Sequence, residues 1–572
     1  MDNDSIVTLL KSTAGLLELH DENPAKIKSY NNAFFNLERF NDSLAEMSLD
    51  ALEKIQGVGK SIASKIDEIN RTGQLQQRED LLAQTPVGVV EMMDIKGLGV
   101  KKIKTLWKEL NIDNTKDLLA ACDRGEIAKI KGFGEKTQEN IRQILKYIES
   151  NKGKLHYAQA EQLANELIET YQKQFPNDLI SATDEIRRKM EVVNVVKLLI
   201  GADNKQAVIK YLDGLEGITA SPKSSGPFTW RGNLENSGTP FEVKFCNKTD
   251  FYNQLLLTTG SNRHLAVALK EGLNLRELIA DRQLSDEEEA YVLADLKYIE
   301  PELREAQFEF PLAKENKLPK LLELSDLKGI LHNHSTWSDG KHSLEEMARY
   351  CQELGYEYLG ISDHSKSAFY YANGLKEDRV FEQHKEIDEL NKKLAPFKIF
   401  KGIESDILPD GRLDYDDDIL ASFDFIVSSI HSGLSMDIKK ATERLLIAIA
   451  NPFTTMLGHP TGRLLLRRQG YPIDHKTVID ACAQYGVIIE INAHPYRLDL
   501  DWRWVNYAIE KGVMISVNPD AHKKEGYADM YYGVCVGRKG GLTKEMTFNS
   551  LSLKEVENHF KKRNEKALEA VK

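Results

Sequence analysis

The chain is 572 residues long with a formal net charge of −12, a length that argues for several cores rather than one. No apolar run is long enough to span a bilayer, the opening stretch MDNDSIVTLLKSTAGLLELH lacks the basic start of a secretory signal, and the five cysteines form no CxxC pair. A cytoplasmic protein with free thiols and no membrane partner is therefore expected, and the acidic total weighs against a simple nucleic-acid coat while leaving room for a local basic face.

The first elements read as helices, in two regions, 1–85 and 86–150. Three segments repeat one pattern: LEKIQGVGKSIASKI, MMDIKGLGVKKIKTL and IAKIKGFGEKTQENI. Each is a helix end, a G-x-G turn and a helix start carrying lysine. The turns centre on Gly57 and Gly59, Gly97 and Gly99, and Gly132 and Gly134. Glycine lets the backbone turn tightly and approach a ligand. A helix start offers free N–H groups to an anion. The repeat resembles the helix-hairpin-helix motif. With Lys60, Lys65, Lys101, Lys102 and Lys136 beside the turns, it is expected to grip DNA phosphates without reading bases, with an affinity that falls with salt.

The proline- and charge-rich stretch at 301–326 reads as a linker. Beyond it, from 327 to 572, short β-branched runs alternate with helix-like segments. The runs are DLKGILHNH, YEYLGISDH, FKIFKGIES, FDFIVSSIHS, FTTMLGHP, GVIIEINAH and GVMISVNPDAH. Strand then helix, repeated, predicts a parallel α/β barrel whose site lies at the C-terminal strand ends. At those ends stand His332, His334, His364, Glu404, His431, His459, Asp520 and His522, with Asp339 in the first loop. Of fourteen histidines, only His20, His156 and His264 precede this region. Nitrogen and oxygen donors without a thiolate suit zinc, manganese or iron. Nine such donors exceed one ion's needs, so two to three divalent ions are expected, with Glu404 as the bridge. Asp339, Glu404 and His431 are expected to serve catalysis as well. Arg463 and Arg497 follow two strand ends and are expected to clamp a phosphate. His494 ends a strand without being a secure ligand. His342, His384, His475 and His559 are expected to be solvated.

The motifs HNHSTWSDG, SDH, GIES, SSIHS, GHP and NPDAH resemble those of the PHP (polymerase and histidinol phosphatase) domain. That resemblance implies a distorted seven-stranded barrel that binds metals and hydrolyses phosphoesters. Together with the hairpins, it makes the chain resemble a bacterial family X DNA polymerase over nearly its whole length. The implied fold is multidomain: an all-α helix-hairpin-helix region, with a lyase-like part at 1–85 and a fingers-like part at 86–150. An α+β polymerase-like palm and thumb at 151–300 and the PHP barrel follow. IKSYNNAFFNLERF and GKSIASKIDEI resemble the lyase-like part, which puts Lys65 where that domain has its Schiff-base lysine. TTGSNRHLAVALKEGL resembles the family's nucleotide-binding segment. In TDEIRRKMEVVNVVKLL, Arg187, Arg188 and Glu191 match the palm motif. Asp184 and Glu185 replace its Gly-Ser pair, the two metal aspartates fall on Val195 and Lys197, and Glu242 matches the third carboxylate. The expected activity is a metal-dependent phosphodiesterase on gapped, nicked or 3′-ended DNA, as a 3′-5′ exonuclease or end-processing enzyme, with magnesium needed only for residual synthesis. An active gap-filling polymerase with such an exonuclease and a small-molecule phosphatase are the alternatives.

Overall fold

The computed structural model describes residues 3–571 apart from 39, 41, 94, 96 and 97. The chain falls into two compact units, 1–150 and 151–572.

The first unit is helical throughout its described residues. Apolar residues three and four apart create the buried faces. In the helix Lys60–Thr72, Ile62, Ala63, Ile66 and Ile69 share one face, and Gly73 ends it at φ 75°. The three hairpins turn through the same main-chain bond. Val58 N donates to Ile55 O at 3.0 Å, Leu98 N to Ile95 O at 3.0 Å, and Phe133 N to Ile130 O at 3.1 Å. These three donors are the middle residues of the G-x-G triplets, and their side chains are buried. Each triplet anchors its middle residue in the core, and Gly57, Gly59, Gly99, Gly132 and Gly134 are left outside.

The second unit carries a five-stranded sheet, in the order Leu179–Ala182, Val196–Gly201, Pro240–Cys246, Thr229–Leu234, Ile218–Ala220. The strands Val196–Gly201 and Pro240–Cys246 are parallel, with Lys197 opposite Glu242. The stretch 301–326, expected to be a linker, packs instead. Glu302, Arg304 and Glu309 are buried. Arg304 Nη1 bonds Glu287 Oε1 at 2.6 Å, and Arg538 Nε bonds Glu302 Oε1 at 2.6 Å. Composition marks the stretch as charged, but these charges are neutralised by partners elsewhere in the chain.

The barrel has seven parallel strands in sequence order: β1 Gly329–Ile330, β2 Tyr358–Ile361, β3 Lys398–Asp406, β4 Phe425–Ser429, β5 Met456–Leu457, β6 Ile488–Asn492 and β7 Ile515–Asn518. It is nearly closed by bonds just past β1 and β7: His334 N donates to Ala521 O at 2.9 Å and Asp520 N to His332 O at 3.1 Å. Helices such as Leu344–Glu353 and Ile438–Ala450 cover the outside through buried Leu, Met and Ile. Toward the strand starts, Tyr358, Phe400, Phe425, Met456 and Ile488 pack with Phe548 and Phe560. Phe560 comes from the C-terminal helix Leu553–Ala570 and stacks on Phe425 with ring centres 5.2 Å apart. Gly402 makes room for that ring: a Cβ there would lie 2.2 Å from Phe425. The floor is apolar and filled, so the open end of the barrel is the one where the strands finish.

Candidate metal centre

The strand ends bring all nine candidate ligands to one place. Glu404, inside β3 and almost fully buried, is the hub. Its Oε1 lies 3.3 Å from His332 Nε2, 3.2 Å from His431 Nε2 and 3.0 Å from His459 Nε2. Its Oε2 lies 3.0 Å from His364 Nδ1 and 3.7 Å from His334 Nε2. On the other side, His334 Nε2 is 3.0 Å from Asp520 Oδ1, and Asp339 Oδ1 is 3.3 Å from His522 Nε2. Three overlapping donor groups result: His334, Asp339, His364 and His522; His332, His334 and Glu404; and His364, Glu404 and His431. Within each group the ligand atoms lie within 4.8 Å of one another.

A second layer of carboxylates and amides orients these rings, and sequence reading missed it. His332 Nδ1 bonds Glu490 Oε2 at 2.6 Å, which aims Nε2 at the centre. Glu490 Oε1 also accepts from the His459 main-chain N–H at 3.1 Å. His431 Nδ1 bonds Asp406. Asn492 Nδ2 donates to Asp520 Oδ2 at 3.0 Å. Such partners set which nitrogen a histidine offers and how basic it is. A signal for them was present. Asp406 follows Glu404 by two residues, on the same face of β3, and Glu490 interrupts the apolar run VIIEIN. Asp363 plays a similar part for the first loop. It accepts from the N–H and hydroxyl groups of Ser335 and Ser338, just ahead of Asp339.

Electrostatics follow from this crowding. Burial opposes the charged form of His431, but Glu404 and Asp406 outweigh it and hold the ring up at about 10. Burial likewise opposes His522, and the bond to Asp339 lifts it to about 9. Burial pushes His334 down to about 3, reinforced by His522 and His364. Glu404 and Asp520 stay well below the usual carboxylate range despite burial, because imidazoles surround them. Protons and a cation would compete for the same atoms. The donor set fits a divalent cation by a further test. The buried His332 Nε2, His334 Nδ1, His364 Nδ1 and Glu404 Oε2 make no well-directed hydrogen bond among the described residues, even where an imidazole nitrogen stands within 3.3 Å of the carboxylate, a costly arrangement unless an ion takes them up.

The two arginines part company. Arg463 is held away from the centre: Nε donates to Arg497 O at 2.9 Å, Nη1 bonds Asp501 Oδ2 at 2.6 Å, and Nη2 donates to Leu498 O. Its donors tie together the loop after β6, so the structure does not present Arg463 for a phosphate. Arg497 does face the centre, with Nε 3.7 Å from Asp520 Oδ2. His494 accepts from Tyr496 N at 3.2 Å through Nδ1 and stands outside the donor groups. His384, expected in solvent, is buried against the edge of Phe423.

In the sheet region, the positions matched to the palm motif are tied up in ion pairs. Lys197 pairs with Asp184, which also takes Arg188 Nη1 at 2.6 Å. Arg187 bonds Glu287, and Glu242 bonds Arg231 Nε at 2.8 Å. Glu191 accepts from Trp502 Nε1 at 3.0 Å and Arg503 Nη1 at 2.7 Å, both from the barrel. Among the described residues, no group of three metal donors forms in this sheet. Thr259 of the TTGSNR stretch accepts from Arg187, and Ser261 caps the short helix Asn262–Leu265.

In the helical unit, Gly57, Gly59, Lys60, Gly99, Lys101, Gly132, Gly134 and Lys136 are exposed. Gly97 lies outside the described residues. Lys102 is half-buried, with its Nζ 5.5 Å from the centre of the Phe133 ring in the third hairpin. Lys65 is half-buried 5.7 Å over Tyr30, and burial lowers its pKa, helped by Lys26.

Comparison with known proteins agrees with this layout. A helix-hairpin-helix domain model matches residues 1–75, a SAM-like helix-hairpin-helix tandem model matches 89–146, and a PHP domain model matches 331–494. The DNA polymerase/3′-5′ exonuclease PolX of Bacillus subtilis (strain 168) is 35% identical over 580 residues, covering 99% of this chain and 100% of that protein. A probable phosphatase of Thermoanaerobacter sp. (strain X514) is 28% identical over 235 residues, 38% of this chain and 89% of that protein. Another from Caldanaerobacter subterraneus subsp. tengcongensis is 29% identical over 214 residues, 34% of this chain and 77% of that protein.

Proposed function

The chain belongs to the bacterial PolX family, and from that premise we propose that it is a metal-dependent 3′-5′ exonuclease that removes nucleotides from DNA ends held by its hairpins. The observation that carries this reading is the convergence of nine histidines and carboxylates, seven of them in three overlapping donor groups and His459 and Asp520 beside them, with buried atoms that make no well-directed hydrogen bond, at the open end of a filled barrel. The ligands we propose are His332, His334, Asp339, His364, Glu404, His431, His459, Asp520 and His522, holding two to three ions of manganese, zinc or iron. Bound ions would lower the pKa of a water to make a nucleophile and neutralise charge on the phosphate. The chain's own part is to fix the donors: Glu404 sits between groups, Glu490 and Asp406 set the ring nitrogens of His332 and His431, and Arg497 awaits a phosphate oxygen. Asp339 lies at the rim, where it is accessible to substrate.

The hairpin glycines and Lys60, Lys101, Lys102 and Lys136 are proposed to hold DNA backbone without sequence preference. The sheet is proposed to support the strand rather than extend it, because the pairing of Lys197 with Asp184 places an ammonium where a metal would need carboxylates. One experiment addresses these readings together. A labelled primer–template is incubated with metal-loaded protein, with and without nucleotide triphosphates and with and without chelator. Stepwise shortening that chelator abolishes is the expected result. Hydrolysis of small phosphate esters with intact DNA would overturn it in favour of a phosphatase.

A further inference from the structure

The segment after β2 carries an aromatic cluster at the rim of the metal centre. His364 is followed within eight residues by the short helix Phe369–Ala372, sequence FYYA. Tyr370 is 95% exposed and Tyr371 61% exposed. A tyrosine so completely in water buries almost none of its ring and adds little to the fold. The segment beneath it is nonetheless firmly held. Ser367 N donates to Asp414 Oδ2 at 2.6 Å, and Ser367 Oγ to Asp406 Oδ2 at 2.6 Å. Tyr371 OH donates to the same Asp406 oxygen at 3.4 Å, and its ring centre lies 6.5 Å from that of His364. Asn373, at φ 54°, donates to the carbonyls of Trp337 and Ser338, one residue ahead of Asp339. The helix is thus pinned to loops that carry candidate ligands on both sides. The Lys376 ammonium sits 4.3 Å over the Phe369 ring, a cation beside the aromatic cluster.

We propose that Tyr370, on the platform that Tyr371 ties to Asp406, stacks an unpaired base at the 3′ end of a DNA strand and so positions the terminal phosphodiester over the centre. An exposed aromatic on a held segment, its ring centre 5.5 Å from that of Phe369, over which the Lys376 ammonium sits, matches a partner made of flat bases and anionic phosphates, and stacking on tyrosine tolerates every base. This inference rests on the exonuclease reading. What it adds is the residue that holds such an end, since a base within a duplex has both faces covered and offers Tyr370 none.

The test pairs a side-chain deletion with a base deletion. Wild type, Tyr370→Ala and Tyr370→Phe are assayed on a single-stranded oligonucleotide and on the same strand with abasic residues at its last two positions. Tyr370→Ala should raise KM on the intact strand about ten-fold, as loss of one stacked base predicts, with kcat unchanged. It should leave KM on the abasic strand where wild type has it, and Tyr370→Phe should behave as wild type. Equal increases on both strands, or none on either, would overturn the stacking role while the exonuclease reading stood. If wild type released nothing from either strand, the exonuclease reading would fail and this inference with it.

Discussion

Glu404 lies within 3.0 to 3.7 Å of five imidazoles, so one carboxylate charge balances much of the centre. Glu404→Gln keeps the shape and removes that charge. Metal content should fall, and hydrolysis should drop at least about a hundred-fold, while salt-sensitive DNA binding is retained. Elemental analysis and a filter-binding assay on the full chain check both halves; an active, fully loaded variant would remove Glu404 from the centre. Asp406→Asn acts at one remove, through His431, and should weaken metal affinity by about ten- to a hundred-fold, readable by competition with a metal indicator. His384 tests a different kind of burial. Burial and then Lys401 push it down to about 4, against about 6.5 in an unfolded chain. Above pH 6.5 the ring is neutral in both states. As pH falls from 6.5 to 4 the unfolded state binds a proton that the folded state refuses, so stability falls, by up to about 3 kcal/mol. His384→Leu should flatten that part of the stability–pH curve relative to wild type, as measured by urea denaturation across that range. Equal slopes would show that the ring takes up its proton in the fold.

At the scale of elements, the three hairpins share one construction: an Ile carbonyl that accepts from an anchored middle residue, followed by an exposed glycine, Gly59, Gly99 or Gly134. That sameness predicts additive, sequence-blind grip. Replacing Lys101 and Lys102 by Glu should weaken binding equally for unrelated DNA sequences and reduce the slope of log affinity against log salt. A loss confined to certain sequences would indicate base readout. The barrel floor makes an independent prediction. Phe560 stacks on Phe425 beneath the site, so Phe560→Ala should cost about 3–5 kcal/mol of stability, seen as a lower denaturation midpoint. Its metal affinity should change little, because the ligands stand on the opposite strand ends. The hairpins were legible in the sequence because glycine spacing and helix periodicity are local signals. The barrel was legible because each strand is a short apolar run that ends in a polar residue. The packed character of 301–326 was not legible, because its charges look solvated until Glu287, His264 and Arg538 are placed beside them.

For the whole molecule, the question is what the sheet region contributes. Trp502 and Arg503 bond Glu191, and the buried Lys539 bonds Glu305 and the Arg188 carbonyl. Of the residues matching the polymerase motif, Glu191 and Arg188 are thereby occupied in joining sheet to barrel. A variant with a disabled barrel, His332→Ala with His334→Ala, should give no templated primer extension with magnesium and triphosphates. Clear extension in a sequencing-gel assay would show that Lys197 and Asp184 separate to admit metal. The sequence by itself determined which residue types end each strand and where the glycine turns fall, and these placed all nine candidate ligands, since the rule linking strand ends to the site needs only local order. It did not determine which nitrogen of His332 or His431 faces inward, nor that Arg463 holds a loop while Arg497 faces the centre. Those outcomes depend on partners far apart in the chain, such as Glu490, 158 residues from His332, and Glu191, 312 residues from Arg503. The energy of a buried charge is decided by its neighbours in space, and only the tertiary structure brings them together.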